Sequence, residues 1–407
     1  MANITAEGDA MTYWLGTPGI VCALGDKISQ IDLALHAGNT AGMRKQDGWV
    51  NDRTLTLGVC TGATPPLPDR LAAHHDSRNN RLLLLAGQQI EHTLRAAVAR
   101  YGADRVAVVL GTSTSGVNDN AGAFSHLAQQ GCWPQSYDYR RQVLSSPASF
   151  LAAWLETTGP AYTLSTACTS SARALFSARS LLEMNLCDAV VCGGADTLCR
   201  MTINGFASLD AISDELCNPF SAHRRGINIG EAAVLFLMER DPGPGPGATL
   251  LGGGASSDAW HMSSPEPHGA GAIQAMQIAL VDAGLDASDI SWVNLHGTGT
   301  EHNDAMESHA MNSIFSHGVP CASTKPLTGH ALGAAGALEA ALAWITLTRT
   351  GNDSLPPHVW DACPDPSLPA LDFSTKTHRF STQRPRIVMS NSFAFGGNNI
   401  SLILGAA

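Results

Sequence analysis

The sequence predicts an α/β protein of parallel or mixed sheets covered by helices, and three observations carry that prediction. Short apolar runs alternate with longer, Ala-rich helical patterns along most of the chain. The runs themselves, such as RVAVVL at 105–110, are apolar almost throughout, which is how a strand buried on both faces reads. Forty glycines, against 6 % aromatic residues, fit the tight turns and close backbone packing of layered α/β proteins.

Taken in order, residues 83–100 read as a helix and 105–110 as a strand ending at the turn-rich GTSTSG of 111–116. Residues 188–192 (DAVVC) form a second strand, with Gly193-Gly194 as the turn after it. Residues 271–283 read as a helix, and 290–295 (ISWVNL) and 386–389 (RIVM) as two further strands. The clearest punctuation is DPGPGPG at 241–247, which can continue neither a helix nor a central strand. It separates an N-terminal half, 1–240, from a C-terminal half, 248–407. The halves echo each other: a small-residue helix opens after Cys168 and another after His330, and each leads toward a strand and a Gly-Gly pair.

Bulk properties narrow the function. A chain of 407 residues is long for one simple core, so two domains or two fused halves are expected. A hydrophobic share of 44 % with 14 % charged residues suits a large interior or an extensive subunit interface. A net charge of −11 argues against nucleic acid as a partner, because phosphate binding needs a basic surface. The ten cysteines include no CxxC pair and no histidine spacing typical of zinc, so no metal site is expected. They read as core filling in a reducing compartment. The N-terminal stretch MANITAEGDAMTYWLG lacks a basic segment followed by an apolar one, so no signal peptide is read. No window has the uninterrupted apolar length of a membrane span. A cytoplasmic protein is expected.

Four windows carry chemistry. In YTLSTACTSSARALFSARSLL (162–182), Cys168 stands between a strand end and a helix start. A helix N-terminus favours an anion, so this thiol is expected below its free pKa of about 8.5. A buried structural cysteine is the competing reading of that window alone. HGTGTEHND (296–304) follows a strand directly, where loops of α/β proteins gather functional groups, and puts His296 there. Its GTGT does not meet the dinucleotide-binding pattern. STKPLTGHALGAAG (323–336) sets Lys325 and His330 before a helix, and NSFAFGGNN (391–399) sets two phenylalanines on a glycine-flanked loop.

Together these windows resemble the elongating β-ketoacyl-acyl carrier protein synthases of the thiolase superfamily, over essentially the whole chain. TACTSS matches the family's nucleophile motif at Cys168, and HGTGTEHND with Glu307 matches HGTxTxxxDxxE. TKPLTGHALGAAGALE matches KxxxGHxxGAAGxxE, and NSFAFGGNN matches NSFGFGGTN. SSDAWHMSSP (256–265) resembles the loop beside the pantetheine entrance and contains Ser263.

The resemblance implies a thiolase fold, a layered αβαβα arrangement built from two duplicated halves. It implies Cys168 as the nucleophile that carries the acyl group, with His296 and His330 stabilising the enolate left by malonyl decarboxylation. It implies the backbone N–H groups of Cys168 and Phe395 as the oxyanion donors. Thr298 and Thr300 would bind the pantetheine arm, Phe393 would line the substrate site, and Lys325 with Glu339 would be a buried supporting charge pair beside Asp304 and Glu307. The partners implied are an acyl carrier protein and a second subunit, either a copy of this chain or a chain-length-factor-like homologue. No cofactor is implied, because phosphopantetheine arrives on the carrier.

Three departures favour a specialised pathway, of aryl-polyene or polyketide type, over housekeeping fatty-acid synthesis. Ala394 stands where the family has Gly, Asn398 where it has Thr, and Arg225 where it has Asp. A coenzyme A-dependent thiolase would want a second cysteine in place of His330, and a chain-initiating synthase would pair Cys and His with Asn. A silent partner subunit would lack the cysteine, and a thiol hydrolase has no use for a second histidine with a threonine pair. The basic docking candidates for the carrier are Arg44-Lys45, Arg140-Arg141, Arg200 and Arg224-Arg225.

Overall fold

The structure, a computed structural model, describes residues 13–243 and 245–406. The reading of the N-terminal stretch therefore falls largely outside the described residues, as does one proline of the DPGPGPG segment. Thirteen strands are described: β1 Trp14–Leu15, β2 Gly19–Val21, β3 Met43–Val50, β4 Arg53–Gly58, β5 Val106–Gly111, β6 Ala161–Leu164 and β7 Ala189–Asp196. They continue with β8 Ala232–Glu239, β9 Ala248–Ser257, β10 Trp292–Asn294, β11 Cys321–Ala322, β12 Ile387–Phe393 and β13 Asn398–Ala406.

Two five-strand sets share one connectivity. The first runs β6-β5-β7-β8-β2 and the second β11-β10-β12-β13-β9. In each, the first three strands are parallel and the last two pairings antiparallel. The echo read in the sequence is thus a duplicated topology. The sheets are not separate: β1 pairs antiparallel with β8 on one side and β9 on the other, joining them into one 11-stranded sheet. The hairpin β3-β4 stands apart.

Packing makes this a thiolase-type stack of five layers. Outer helices such as Arg78–Gln89 and Ser146–Leu155 cover one sheet half, and Ala270–Ala283 and Glu301–Ile314 cover the other. Between the sheets lie the Ser170–Glu183 and Ala335–Thr348 helices, whose apolar residues share one core cluster. Thirteen of the fourteen residues in the second are buried, and its AGALEAALA run is small enough to sit there. At Gly336 an added Cβ would lie 2.7 Å from the backbone nitrogen of Ala172, so the two central helices touch backbone to backbone. One central helix begins just after Cys168 and the other just after His330, which brings both windows to the same end of the stack.

Three local readings change. Gly193 and Gly194 are not a turn but part of β7, which runs on to Asp196. A Cβ at Gly193, with φ +145°, would meet the Val234 carbonyl oxygen at 2.0 Å, so glycine serves close strand approach there. The helix expected over 83–100 is two, Arg78–Gln89 and Glu91–Tyr101, separated at Ile90, whose N–H turns back to the Gly87 carbonyl. Phe393 is the last residue of β12, so only Phe395 lies on the glycine-flanked loop. Among the described residues no helix is long and apolar enough to cross a membrane.

Candidate active site

Cys168 sits on a sharp turn between β6 and the Ser170–Glu183 helix. Ala167 before it takes φ +53°, a left-handed conformation that costs a non-glycine residue about 1 kcal/mol. The serine and threonine neighbours hold that turn. Thr169 Oγ1 donates to the Thr166 carbonyl at 2.7 Å, Ser170 Oγ donates to the Ala167 carbonyl at 2.6 Å, and Thr166 N–H donates to Ser170 Oγ at 2.9 Å. The small polar residues around the cysteine are therefore the device that turns its thiol toward the site.

The three groups expected to react come together. His330 Nε2 lies 2.9 Å from Cys168 Sγ, and the rings of His296 and His330 face each other edge-on with centroids 5.2 Å apart. All three residues are buried. Their ligand-type atoms lie within 4.8 Å of one another, a cluster that the wide sequence spacing concealed. They close the bottom of a cavity of about 720 Å³, whose walls include Thr298, Thr300, Ser263, Phe393 and Phe395. The Thr298 and Thr300 hydroxyls are hydrogen-bonded at 2.9 Å.

The expectation of a depressed thiol pKa is reversed. Burial pushes Cys168 up to about 12, against the Lys325 charge and the N–H groups of Phe395 and Cys168, which pull it down. Desolvation of the thiolate outweighs the helix N-terminus. The resting group is thus a thiol, and its neighbour His330 is neutral, because burial and then the Lys325 charge hold its pKa well below the usual histidine value. His296 is lowered in the same way, by burial first and by Lys325 and His330 after it.

Behind the histidines lies a fixed polar frame. Lys325 Nζ is 2.6 Å from Glu339 Oε1 and 3.5 Å from His296 Nδ1, and it also donates to the His296 carbonyl. Glu307 accepts from the backbone N–H groups of His296 and Gly297, both at 2.7 Å, and Asp304 accepts from those of Phe220 and Gly299 at 2.7 and 3.1 Å. Burial raises these carboxyls, Asp304 to about 6 and Glu307 to about 8, while the N–H donors pull them down. The loop bearing His296 is in this way held from two points.

Sequence reasoning missed two contributors. Asp196, fully buried at the end of β7, accepts from Ser113 and Thr114 N–H, from the Thr112 hydroxyl at 2.7 Å and from Gly333 N–H at 2.6 Å. It ties the loop after β5 to the segment that carries His330. An aspartate two residues after a Gly-Gly pair, in GGAD, was its only signal. Asp258 is the other: it accepts from Asn399 Nδ2 at 2.6 Å and donates its N–H to the Gly397 carbonyl, joining the Phe395 loop to the loop containing Ser263.

The docking candidates do not all remain available. Lys45 pairs with Glu215 at 2.7 Å, Arg140 with Asp138 at 3.0 Å and Arg224 with Asp365 at 2.6 Å, while Arg200 lies over the Trp49 ring. Ala394 does not have positive φ; the left-handed positions of its loop are Gly396 and Gly397. Alanine therefore costs this loop conformation nothing.

A thiol and two imidazoles thus meet at one cavity of a duplicated five-layer α/β fold of thiolase architecture. The N-terminal domain model of β-ketoacyl synthases matches residues 69–242 and the C-terminal domain model residues 247–359. The 3-oxoacyl-(acyl-carrier-protein) synthase 2 of Synechocystis sp. is 31 % identical over 350 residues, covering 82 % of this chain and 83 % of that protein. Nodulation protein E of Rhizobium meliloti is 35 % identical over 253 residues, 60 % of this chain and 61 % of that protein, so the match spans less than two thirds of that relative. A chain of the solved complex of a ketosynthase (ApeO) with its chain length factor (ApeC) from Xenorhabdus doucetiae is 48 % identical with a TM-score of 0.91, covering 98 % of both chains. This chain belongs to the β-ketoacyl synthase family.

Proposed function

We propose that the chain is the catalytic ketosynthase of a carrier-protein system, joining an acyl group held on Cys168 to a malonyl unit with loss of CO₂. The observation that carries this reading is the Cys168–His330 contact of 2.9 Å with His296 facing it across the same cavity. Cys168 attacks the carbonyl of an acyl thioester as its proton passes to His330 Nε2. The tetrahedral oxyanion is met by the N–H groups of Cys168 and Phe395. The pantetheine thiolate departs and takes the proton from His330, leaving the acyl group on sulfur. The malonyl thioester then binds along Thr298 and Thr300 and loses CO₂; its enolate carbon attacks the acyl-cysteine, and collapse gives the β-ketoacyl thioester and the Cys168 thiolate, which regains its proton from water.

The two histidines differ in a way that suits these two half-reactions. Lys325 Nζ is a donor only, so its contact with His296 Nδ1 keeps that nitrogen an acceptor and the proton on Nε2. His296 is thus set as a hydrogen-bond donor to the enolate oxygen. Among the described residues His330 Nδ1 has no hydrogen-bond partner, so none of them locks its tautomer. Its Nε2 can accept from the thiol in the first step and donate in the second.

The reaction needs no cofactor, since the pantetheine arm comes with the carrier. By analogy with the ApeO–ApeC complex, the partner subunit is a chain length factor and the pathway a specialised one. We read the protein as cytoplasmic, in keeping with ten cysteines that are all free thiols. The test is product formation: the chain, alone and with a chain length factor, is given acyl- and malonyl-loaded carrier, and β-ketoacyl carrier is sought. Acyl transfer to water without carbon–carbon bond formation would reject the reading.

A further inference from the structure

We propose that Arg225 grips the phosphate at the protein end of the pantetheine arm and so makes this site favour phosphorylated over phosphate-free thioesters. The inference rests on the condensing activity proposed above, and concerns which part of the substrate the mouth of the channel recognises. Arg225 is exposed and lines the cavity that leads to Cys168. Its backbone is fixed against the threonine wall: Gly226 N–H donates at 2.8 Å to the carbonyl of Gly299, the residue between Thr298 and Thr300. Gly226 itself has φ +114°, and a Cβ there would lie 2.4 Å from the Ala211 carbonyl oxygen, so this segment has one way to pass.

The other cations of the mouth are spent. The Arg224 side chain is 8 % exposed and donates to Asp365 at 2.6 Å and to the Ser221 carbonyl at 2.9 Å. Arg53 is held by Asp214 at 2.6 Å. Arg225 makes no hydrogen bond or ion pair among the described residues, and neither Asp210 nor Glu301 on the same rim is ion-paired there. An anion at this rim is therefore repelled from two sides and attracted at one point. A guanidinium offers paired donors matched to phosphate oxygens, and the phosphodiester is the one fixed negative charge on the arm itself. With aspartate at this position, as in the family motif, the local charge would be opposite in sign.

The test uses the full chain and non-reactive thioether analogues of acyl-pantetheine, acyl-phosphopantetheine and acyl-carrier protein, with binding measured by calorimetry. The native chain binds the phosphorylated analogue about tenfold more tightly, the effect of one charge-assisted bidentate contact. Arg225→Gln loses most of that ratio, and Arg225→Lys keeps part of it. A native ratio near one, or a ratio unchanged in Arg225→Gln, overturns the proposal. So does a loss confined to the carrier-borne analogue, which would put Arg225 on the carrier's protein surface instead. Malonyl decarboxylation by the same preparation reports separately on the condensing reading, so an inactive chain that still shows the ratio contradicts the activity and not the site.

Discussion

Replacing Lys325 by Met separates what the buried ion pair does for the fold from what it does for His296. Both partners are nearly inaccessible, with the Lys325 and Glu339 side chains 2 % and 3 % exposed. Methionine fills similar space but leaves the Glu339 carboxylate without a cation. Breaking a buried pair from one side costs about 3–5 kcal/mol, a fall of roughly 3–10 °C in Tm for a chain of this class. Adding Glu339→Gln removes the uncompensated charge and restores most of that loss. Catalysis should not return with it. Without Nζ, His296 Nδ1 is no longer kept an acceptor, and its Nε2 donor to the enolate is no longer fixed. Losing one such donor costs on the order of 10²-fold or more. Lys325 is also one of the charges that lower the His296 pKa, so its removal moves the acid limb of decarboxylation to higher pH. The assays are calorimetric Tm, CO₂ release from malonyl carrier, and acyl-enzyme formation by mass. Recovery of decarboxylation together with stability in the double variant would refute the argument and reduce Lys325 to a structural role.

Because His330 touches the thiol and His296 does not, His330→Ala should lose both acyl transfer to Cys168 and malonyl decarboxylation, whereas His296→Ala should lose mainly the second. Equal losses in His296→Ala, followed by the two half-reactions assayed separately, would contradict this division. Alkylation of Cys168 by iodoacetamide should keep rising about tenfold per pH unit through neutral and alkaline pH, since the thiol is raised to about 12 and only the thiolate reacts. Exposed Cys132 should label first, and a plateau for Cys168 near pH 8 would contradict the raised value. Ala394→Gly should leave selectivity between saturated and polyunsaturated acyl carriers unchanged, because Ala394 has no positive φ to relieve; a shifted ratio would reveal a second loop state in which alanine is strained.

The sequence carried the site further than it carried the environment of the site. Cys168, His296 and His330 were legible because each stands in a dense motif at the end of a strand pattern or the start of a helix, and the fold gathers those ends. The duplication was legible only as an echo, since five strands with matched pairing are a property of three dimensions. Electrostatics were not legible. A helix N-terminus can be seen in a string of residues, but burial of the thiol beside two imidazoles cannot, and burial decided the sign of the Cys168 shift. Gly193-Gly194 failed for a related reason: glycine marks both turns and close strand approach, and only the position of Val234 distinguishes them. Asp196 was hard to see because its partners come from two distant segments, 112–114 and Gly333.

The most direct test of the central claim is intact-protein and peptide mass spectrometry after incubation with a panel of acyl-carrier thioesters, comparing the native chain with Cys168→Ala. That substitution removes one sulfur from a buried site and should leave the fold standing, which Tm checks. The account predicts a single acyl adduct on the peptide containing Cys168, discharged as β-ketoacyl product when malonyl carrier is added, and neither adduct nor product in Cys168→Ala. An adduct on another cysteine, or condensation that persists in Cys168→Ala, would contradict it.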